Sequence, residues 1–191
     1  MSKILVPTDF SNNSYNALYY AARLFQNKEC TFHIVNACTG ENNPYREKAK
    51  MESMQEMDAL VHRLVRDVGD NKKHAFKKVP LCSEMTEGVA KYAEKHHVDL
   101  TVIGNKGKEE IKHILFGNNA MQLVREIISC PVLIVPLEID FKKVDKIAFT
   151  SNYANPIAHE NIKTLQFFCE VSDSVIVPMS IEKNIDDAHI S

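Results

Sequence analysis

The sequence predicts a doubly wound α/β domain, a five-stranded parallel sheet with helices on both faces. Three observations predict it. Short apolar runs alternate with stretches whose apolar residues recur at helical spacing, giving β-α-β-α-β-α-β-α-β over residues 1–137. The apolar runs are continuous, as in strands buried on both faces. A glycine-bearing segment, GNKGKEEIKHILFGNNA at 104–120, joins a strand to a helix, where such sheets open their ligand crevice.

The elements follow in order. Lys3–Val6 is an apolar run closed by Pro7-Thr8-Asp9. Asn13–Phe25 carries Ala17, Leu18, Ala21, Ala22 and Phe25 on one helical face, with Ser11 or Asn12 as its cap. Thr31–Asn36 is a strand, and Thr39–Lys48, with Gly40 and Pro44, reads as a loop. Lys50–Val68 aligns Met54, Met57, Leu60, Val61, Leu64 and Val68 and stops at Gly69. Phe76–Leu81 is a strand. Thr86–His97 is a helix capped by Thr86, with Val89, Ala90 and Ala93 inward. Leu100–Ile103 is a buried strand, Asn118–Ile128 a helix and Pro131–Val135 the closing strand.

Bulk properties narrow the function. A formal net charge of −2, without a local basic stripe, argues against a nucleic-acid partner. No apolar stretch reaches the length of a membrane span, so no membrane partner is expected. The opening MSKILVPTDF reads as a strand and not as a signal peptide. The five cysteines, at 30, 38, 82, 130 and 169, form no C-x-x-C. They are expected to be reduced, mostly buried small hydrophobes in a cytoplasmic protein.

A glycine-rich turn that opens a helix suits phosphate. Glycine tolerates positive φ and close backbone approach, and the helix N-terminus adds roughly half a positive charge. Gly104 and Gly107 would shape the first turn, and Gly117 with Asn118 and Asn119 would form the mouth of the helix. The segment between would return the chain to its starting point, with Lys106 or Lys108 as a cationic contact. The sequence is neither a Walker A motif nor G-x-G-x-x-G.

These residues resemble the universal stress protein family, whose nucleotide signature is G-x2-G-x9-G followed by Ser or Thr. This chain has Gly104-x2-Gly107-x9-Gly117, then Asn118. ILVPTDFSNNSYNALYYAARLF is similar to the family's opening strand and helix, EGVAKYAEKHHVDLTVIGNKG to its third helix and fourth strand, and CPVLIVP to its closing strand. The resemblance implies the adenine-nucleotide α-hydrolase-like fold and an adenine-nucleotide site. Pro7, Thr8 and Asp9 would line the adenosine side, Ile34 and Ile103 would sandwich the base, and Gly104, Gly107, Gly117, Asn118, Asn119 and Ala120 would hold ribose and phosphates. Asp9 could accept hydrogen bonds from the ligand or hold Mg²⁺ through water. Its competing role is in capping the first helix beside Ser11.

After a linker at 138–145, residues 146–191 read as a partial second domain with a tail. Slid back by 143, residues 146–180 overlay 3–37 without a gap, placing Ile147 on Ile4, Thr150 on Pro7, Asn152 on Asp9, Phe168 on Phe25 and Val177 on Ile34. This is similar to the start of a second domain in tandem members of the family. The copy ends before any glycine segment. An uncharged, β-branched closing strand, Pro131–Val135, would invite aggregation if left open. Family dimers join through this strand, so a homodimer is expected.

Other features read as structural. His96-His97 mark a solvated helix end, since adjacent helical side chains diverge. His113 falls within the glycine segment and is a weak candidate for a phosphate contact. Ser11 and Ser14 have no triad partners. The expected function is a cytoplasmic stress-response or regulatory protein that binds ATP or another adenine nucleotide with Mg²⁺. At most it hydrolyses ATP slowly. The alternatives are a dimeric scaffold of the same fold that binds no nucleotide and acts through protein contacts, and an adenylyl-transferring enzyme on the related scaffold.

Overall fold

A computed structural model describes residues 1–39, 43–105, 117–137, 139–150 and 157–179. It divides into two compact units, Met1–Phe141 and Lys142–Ser191.

The first unit runs β1 (Ser2–Pro7), α1 (Asn12–Leu24), β2 (Cys30–Thr39), α2 (Arg46–Val68), β3 (His74–Cys82), α3 (Met85–His96), β4 (Leu100–Gly104), α4 (Asn118–Glu126) and β5 (Val132–Val135). All strand pairs are parallel, in the order β3-β2-β1-β4-β5. The doubly wound α/β class is therefore observed. Strand order reverses between β1 and β4, and a crevice belongs at their carboxyl ends.

Local chemistry sets the boundaries. Ser11 caps α1, its hydroxyl accepting from the Ser14 amide at 3.2 Å. Gly69 ends α2 at φ 85°, a conformation side chains resist, and its amide donates to Val65 O at 2.8 Å. Thr86 does not cap α3. Glu84 does, accepting from the Glu87 amide at 3.0 Å and the Thr86 hydroxyl at 2.6 Å, so the helix starts at Met85. Both β2 and β3 run longer than their apolar cores suggest, because the ladder between them continues from Cys30 paired with His74 to Thr39 paired with Cys82.

Strand alternation divides the core. Leu5, Val35 and Ile103 face α3 and α4, meeting Val89, Ala93, Ala120 and Leu123. Neighbouring Ile4, Val6, Phe32 and Ile34 are fully buried and face the other way, towards the side that α1 and α2 cover. Burial of each large side chain stabilises the fold by about 1.5–3 kcal/mol relative to exposure.

The expected inner face of α2 is partly corrected. Met57, Leu60 and Leu64 are buried, but Met54, Val61 and Val68 are only half-buried. Ser53 is buried in their company because its hydroxyl donates to Asn36 Oδ1 at 2.9 Å. The cysteines also differ from expectation. All five described thiols are free, but only Cys30 is buried and the other four are half-buried.

The second unit contains β6 (Lys146–Thr150), α5 (His159–Ser172) and β7 (Val175–Met179), with β6 and β7 parallel. The gap-free overlay fails by one residue. Lys3 pairs with Thr31, whereas Lys146 pairs with Val175, which the overlay puts on Phe32. One extra residue between β6 and β7 accounts for it. Asn152 lies outside the described residues. Val175, Ile176, Val177 and Met179 are all exposed.

Candidate functional site

The turn after β1 is tied down from inside. The Thr8 amide extends the ladder to Val35 O at 2.8 Å, and Thr8 O accepts from Asn36 Nδ2 at 2.7 Å. Thr8 Oγ1 shares a hydrogen bond with Ser14 Oγ at 3.0 Å and accepts from the Phe10 amide at 3.0 Å. These bonds hold Phe10 at φ 61°, a left-handed conformation that costs a non-glycine residue about 1–2 kcal/mol. The chain thus turns sharply, and Asp9 Oδ1 accepts from the Ser11 amide at 3.1 Å.

Beside it, β4 ends at Gly104. A Cβ on Gly104 would lie 2.7 Å from the Asn13 carboxamide. The next residue organises three segments. Asn105 donates its amide to Val135 O at 3.1 Å, accepts the Leu137 amide on Oδ1 at 3.2 Å, and accepts the Gly117 amide on its carbonyl at 2.7 Å. Gly117 is the N-cap of α4, at φ −72° and ψ 159°.

Neither Gly104 nor Gly117 has the positive φ expected of a phosphate-binding turn. Gly104 is glycine because Asn13 fills the adjacent space. Asn118 is the first residue of α4 and is not its cap. Because glycine caps α4, the cap residue itself brings no side chain to the helix mouth, and the first turn holds no acid. The leading amides of a helix have no acceptor one turn back, and the helix dipole favours an anion there.

The two strand ends and α4 enclose a small cleft lined by Pro7, Asp9, Ser14, Met85, Ile103, Gly104, Asn119, Ala120 and Leu123. Six nominated residues therefore come together: Pro7, Asp9, Ile103, Gly104, Asn119 and Ala120. Four nominated residues are not in this lining. Thr8 is 3% exposed and engaged in the turn, so it positions Asp9 and does not line the cleft. Ile34 is fully buried on the sheet face opposite Ile103, so the two cannot sandwich a base. Gly117 is buried at the helix cap, and Asn118 is exposed beside it. Lys106, Gly107, Lys108 and His113 lie outside the described residues.

Ser14, Met85 and Leu123 were missed. Met85 reaches the cleft because α3 begins one residue earlier than the sequence suggests. The Glu84 carboxyl that fixes this start is held below its ordinary range, first by the Thr86 hydroxyl and then by the Glu87 amide. Among the described residues, no cluster of three or more His, Cys, Asp or Glu could hold a metal ion.

Away from the cleft, His33 is buried against α3, its Nδ1 sharing a hydrogen bond with Tyr92 OH at 2.9 Å. His96 packs on Tyr92 with ring centroids 4.1 Å apart, so it is not simply a solvated helix end. No described helix is long and apolar enough to cross a membrane.

A family model described as the universal stress protein family matches residues 1–136. The chain belongs to the universal stress protein family. Universal stress protein MJ0531 of Methanocaldococcus jannaschii is 30% identical over 144 residues, covering 70% of this chain and 81% of the relative. Hypothetical protein MJ0577 superposes with a TM-score of 0.60 at 26% identity, over 71% of this chain and 95% of that one. A universal stress protein solved in complex with cAMP gives a TM-score of 0.55 at 20% identity, over 70% of this chain and 96% of that one. This last likeness is one of fold. The family match in this universal stress protein covers the whole five-stranded sheet, including both strand ends that form the cleft.

Proposed function

We propose that this universal stress protein binds an adenine nucleotide, ATP, in the cleft between the carboxyl ends of β1 and β4 and the first turn of α4. The observation that carries the reading is the convergence of Asp9, Gly104, Asn119 and Ala120 on one cleft beside an N-cap without a side chain. Phosphates would lie at the mouth of α4. The base would rest among Pro7, Met85 and Ile103, all on the cleft side of the sheet, with Met85 taking the place first assigned to Ile34. Asp9 would accept a hydrogen bond from the nucleoside. Mg²⁺ would be held chiefly by the phosphates, since no ready-made cluster of ligands exists among the described residues.

Family membership supports nucleotide binding in general, and the fold relative in complex with cAMP is in keeping with it. The protein would act as a cytoplasmic stress-response regulator, with at most slow hydrolysis. Calorimetry with ATP and Mg²⁺ tests the reading, because heat of binding that saturates at one site per chain is expected. A flat titration at millimolar nucleotide would contradict it.

The second reading is a dimeric scaffold without nucleotide. Asn118, standing where the family signature has a hydroxyl, favours it. In either reading, β5 lies at the edge of the sheet and is proposed to pair with its counterpart in a second chain. Light scattering at micromolar concentration should give a dimer mass, and a monomer would overturn that assembly. Lysines at Val132 or Ile134 are poor probes, because both residues pack against the core.

A further inference from the structure

Two thiols outside the cleft lining meet at the carboxyl ends of β2 and β3. The ladder pairs Ala37 with Leu81 and then Thr39 with Cys82, so Cys38 sits in a bulge as the extra residue. Its Sγ donates to Leu81 O at 3.3 Å, against the peptide that leads into Cys82. Beyond the effect of burial, the Cys82 thiol lies near enough to push the Cys38 thiol up. Cys38 directly precedes Thr39, the ladder partner of Cys82, so the two cysteines are diagonal neighbours on strands that run about 4.8 Å apart, and a disulfide needs Cα atoms roughly 4.4–6.8 Å apart. Both thiols are free and half-buried, so a small oxidant can reach them.

We propose that Cys38 and Cys82 form a reversible intramolecular disulfide on exposure to hydrogen peroxide. One thiolate attacks a peroxide oxygen, the O–O bond breaks, and a sulfenic acid and hydroxide form. The second sulfur attacks the sulfenic sulfur, the S–O bond breaks, and a second hydroxide leaves. The two thiol protons neutralise the two hydroxides, so two thiols and one peroxide give one disulfide and two waters. Burial pushes the Cys38 thiol up, Cys82 pushes it further and Lys50 opposes them. Reaction is therefore slow near neutrality and speeds up towards alkaline pH as thiolate accumulates.

The remaining cysteines are placed differently. Cys30 is buried, which pushes its thiol up to about 12. Cys130 is hydrogen-bonded with the Thr101 hydroxyl. The crosslink would join the ends of two strands, and Cys82 lies just before Glu84 and Met85 at the edge of the cleft. The proposal does not depend on nucleotide binding.

The test treats the full chain with hydrogen peroxide at pH 8, quenches with an alkylating agent and maps peptides by mass. Cys38 and Cys82 should escape alkylation together, in one crosslinked peptide two hydrogen atoms lighter than its parts. Dithiothreitol should restore both thiols, and the rate should rise up to about tenfold per pH unit below the thiol pKa. In Cys38→Ser or Cys82→Ser, the remaining thiol should instead yield a sulfenic acid that dimedone traps. Peroxide that leaves both thiols alkylatable, oxidises them without a link, or links either to another cysteine would overturn the proposal. These readings need wild-type protein alone, so misfolding of a serine variant would not obscure them.

Discussion

The Gly117 amide donates to the Asn105 carbonyl at 2.7 Å. The chain leaves the sheet at Asn105 and is fastened back to the same residue at Gly117, with residues 106–116 between. The Asn105 amide ties the end of β5, and its side chain ties Leu137 just beyond, into the same knot. The start of α4 is thereby fixed beside the ends of β1 and β4, and the cleft depends on it.

Gly104→Ala tests whether that glycine is required by packing. The new methyl would meet the Asn13 carboxamide at 2.7 Å, and overpacking of this kind costs about 1–3 kcal/mol. Urea unfolding should show the loss, and Asn13→Ala in the same chain should recover part of it. An unchanged midpoint for the single variant would show that the site relaxes freely.

Substitution can separate the part Asp9 plays in the turn from its proposed contact with the nucleoside. Asp9→Asn keeps an acceptor for the Ser11 amide but removes the charge. Stability should stay near wild type while ATP affinity falls by about 1–3 kcal/mol. Asp9→Ala should lose both. Equal affinity across the three proteins by calorimetry would leave Asp9 with the turn alone.

His33 sets an acid limit. Burial, followed by Lys77, His96 and Lys3, lowers it to about 4 from an ordinary 6.5. Between those values the unfolded chain binds the extra proton, so stability falls as pH drops from 6.5 to 4 and is unaffected by this group above 6.5. At about 1.4 kcal/mol per unit, the loss is on the order of 3 kcal/mol. His33→Gln should flatten that limb of the urea-midpoint profile. Parallel profiles for the two proteins would refute the assignment.

Much of the fold was legible because its signals are local. Apolar runs marked the strands, Ser11 marked a helix start, and Gly69 marked a helix end. The site was legible only in part, because its decisive contacts are remote in sequence. Alternation says that Ile34 and Val35 point oppositely, but only strand pairing reveals which of them shares a face with Ile103. The need for glycine at 104 comes from Asn13, on a different helix. Thr8 looked like a ligand contact because it follows a strand, yet its hydroxyl is directed to Ser14 and the Phe10 amide. Met85 escaped notice because a glutamate replaced the expected threonine as cap.

Asn118 stands where the family signature carries a hydroxyl, and it is not needed to cap α4. Asn118→Ser should therefore keep or tighten ATP binding. A large loss of affinity in calorimetry would mean that the asparagine side chain makes a productive contact of its own.

The central claim is that an adenine nucleotide occupies the cleft at the mouth of α4. Backbone amide shifts of the isotope-labelled chain, followed by NMR as ATP and Mg²⁺ are added, test it most directly. Saturable shifts concentrated at Asp9, Gly104, Asn119 and Ala120 are predicted. An unchanged spectrum at saturating nucleotide, or shifts confined to residues remote from these four, would contradict it.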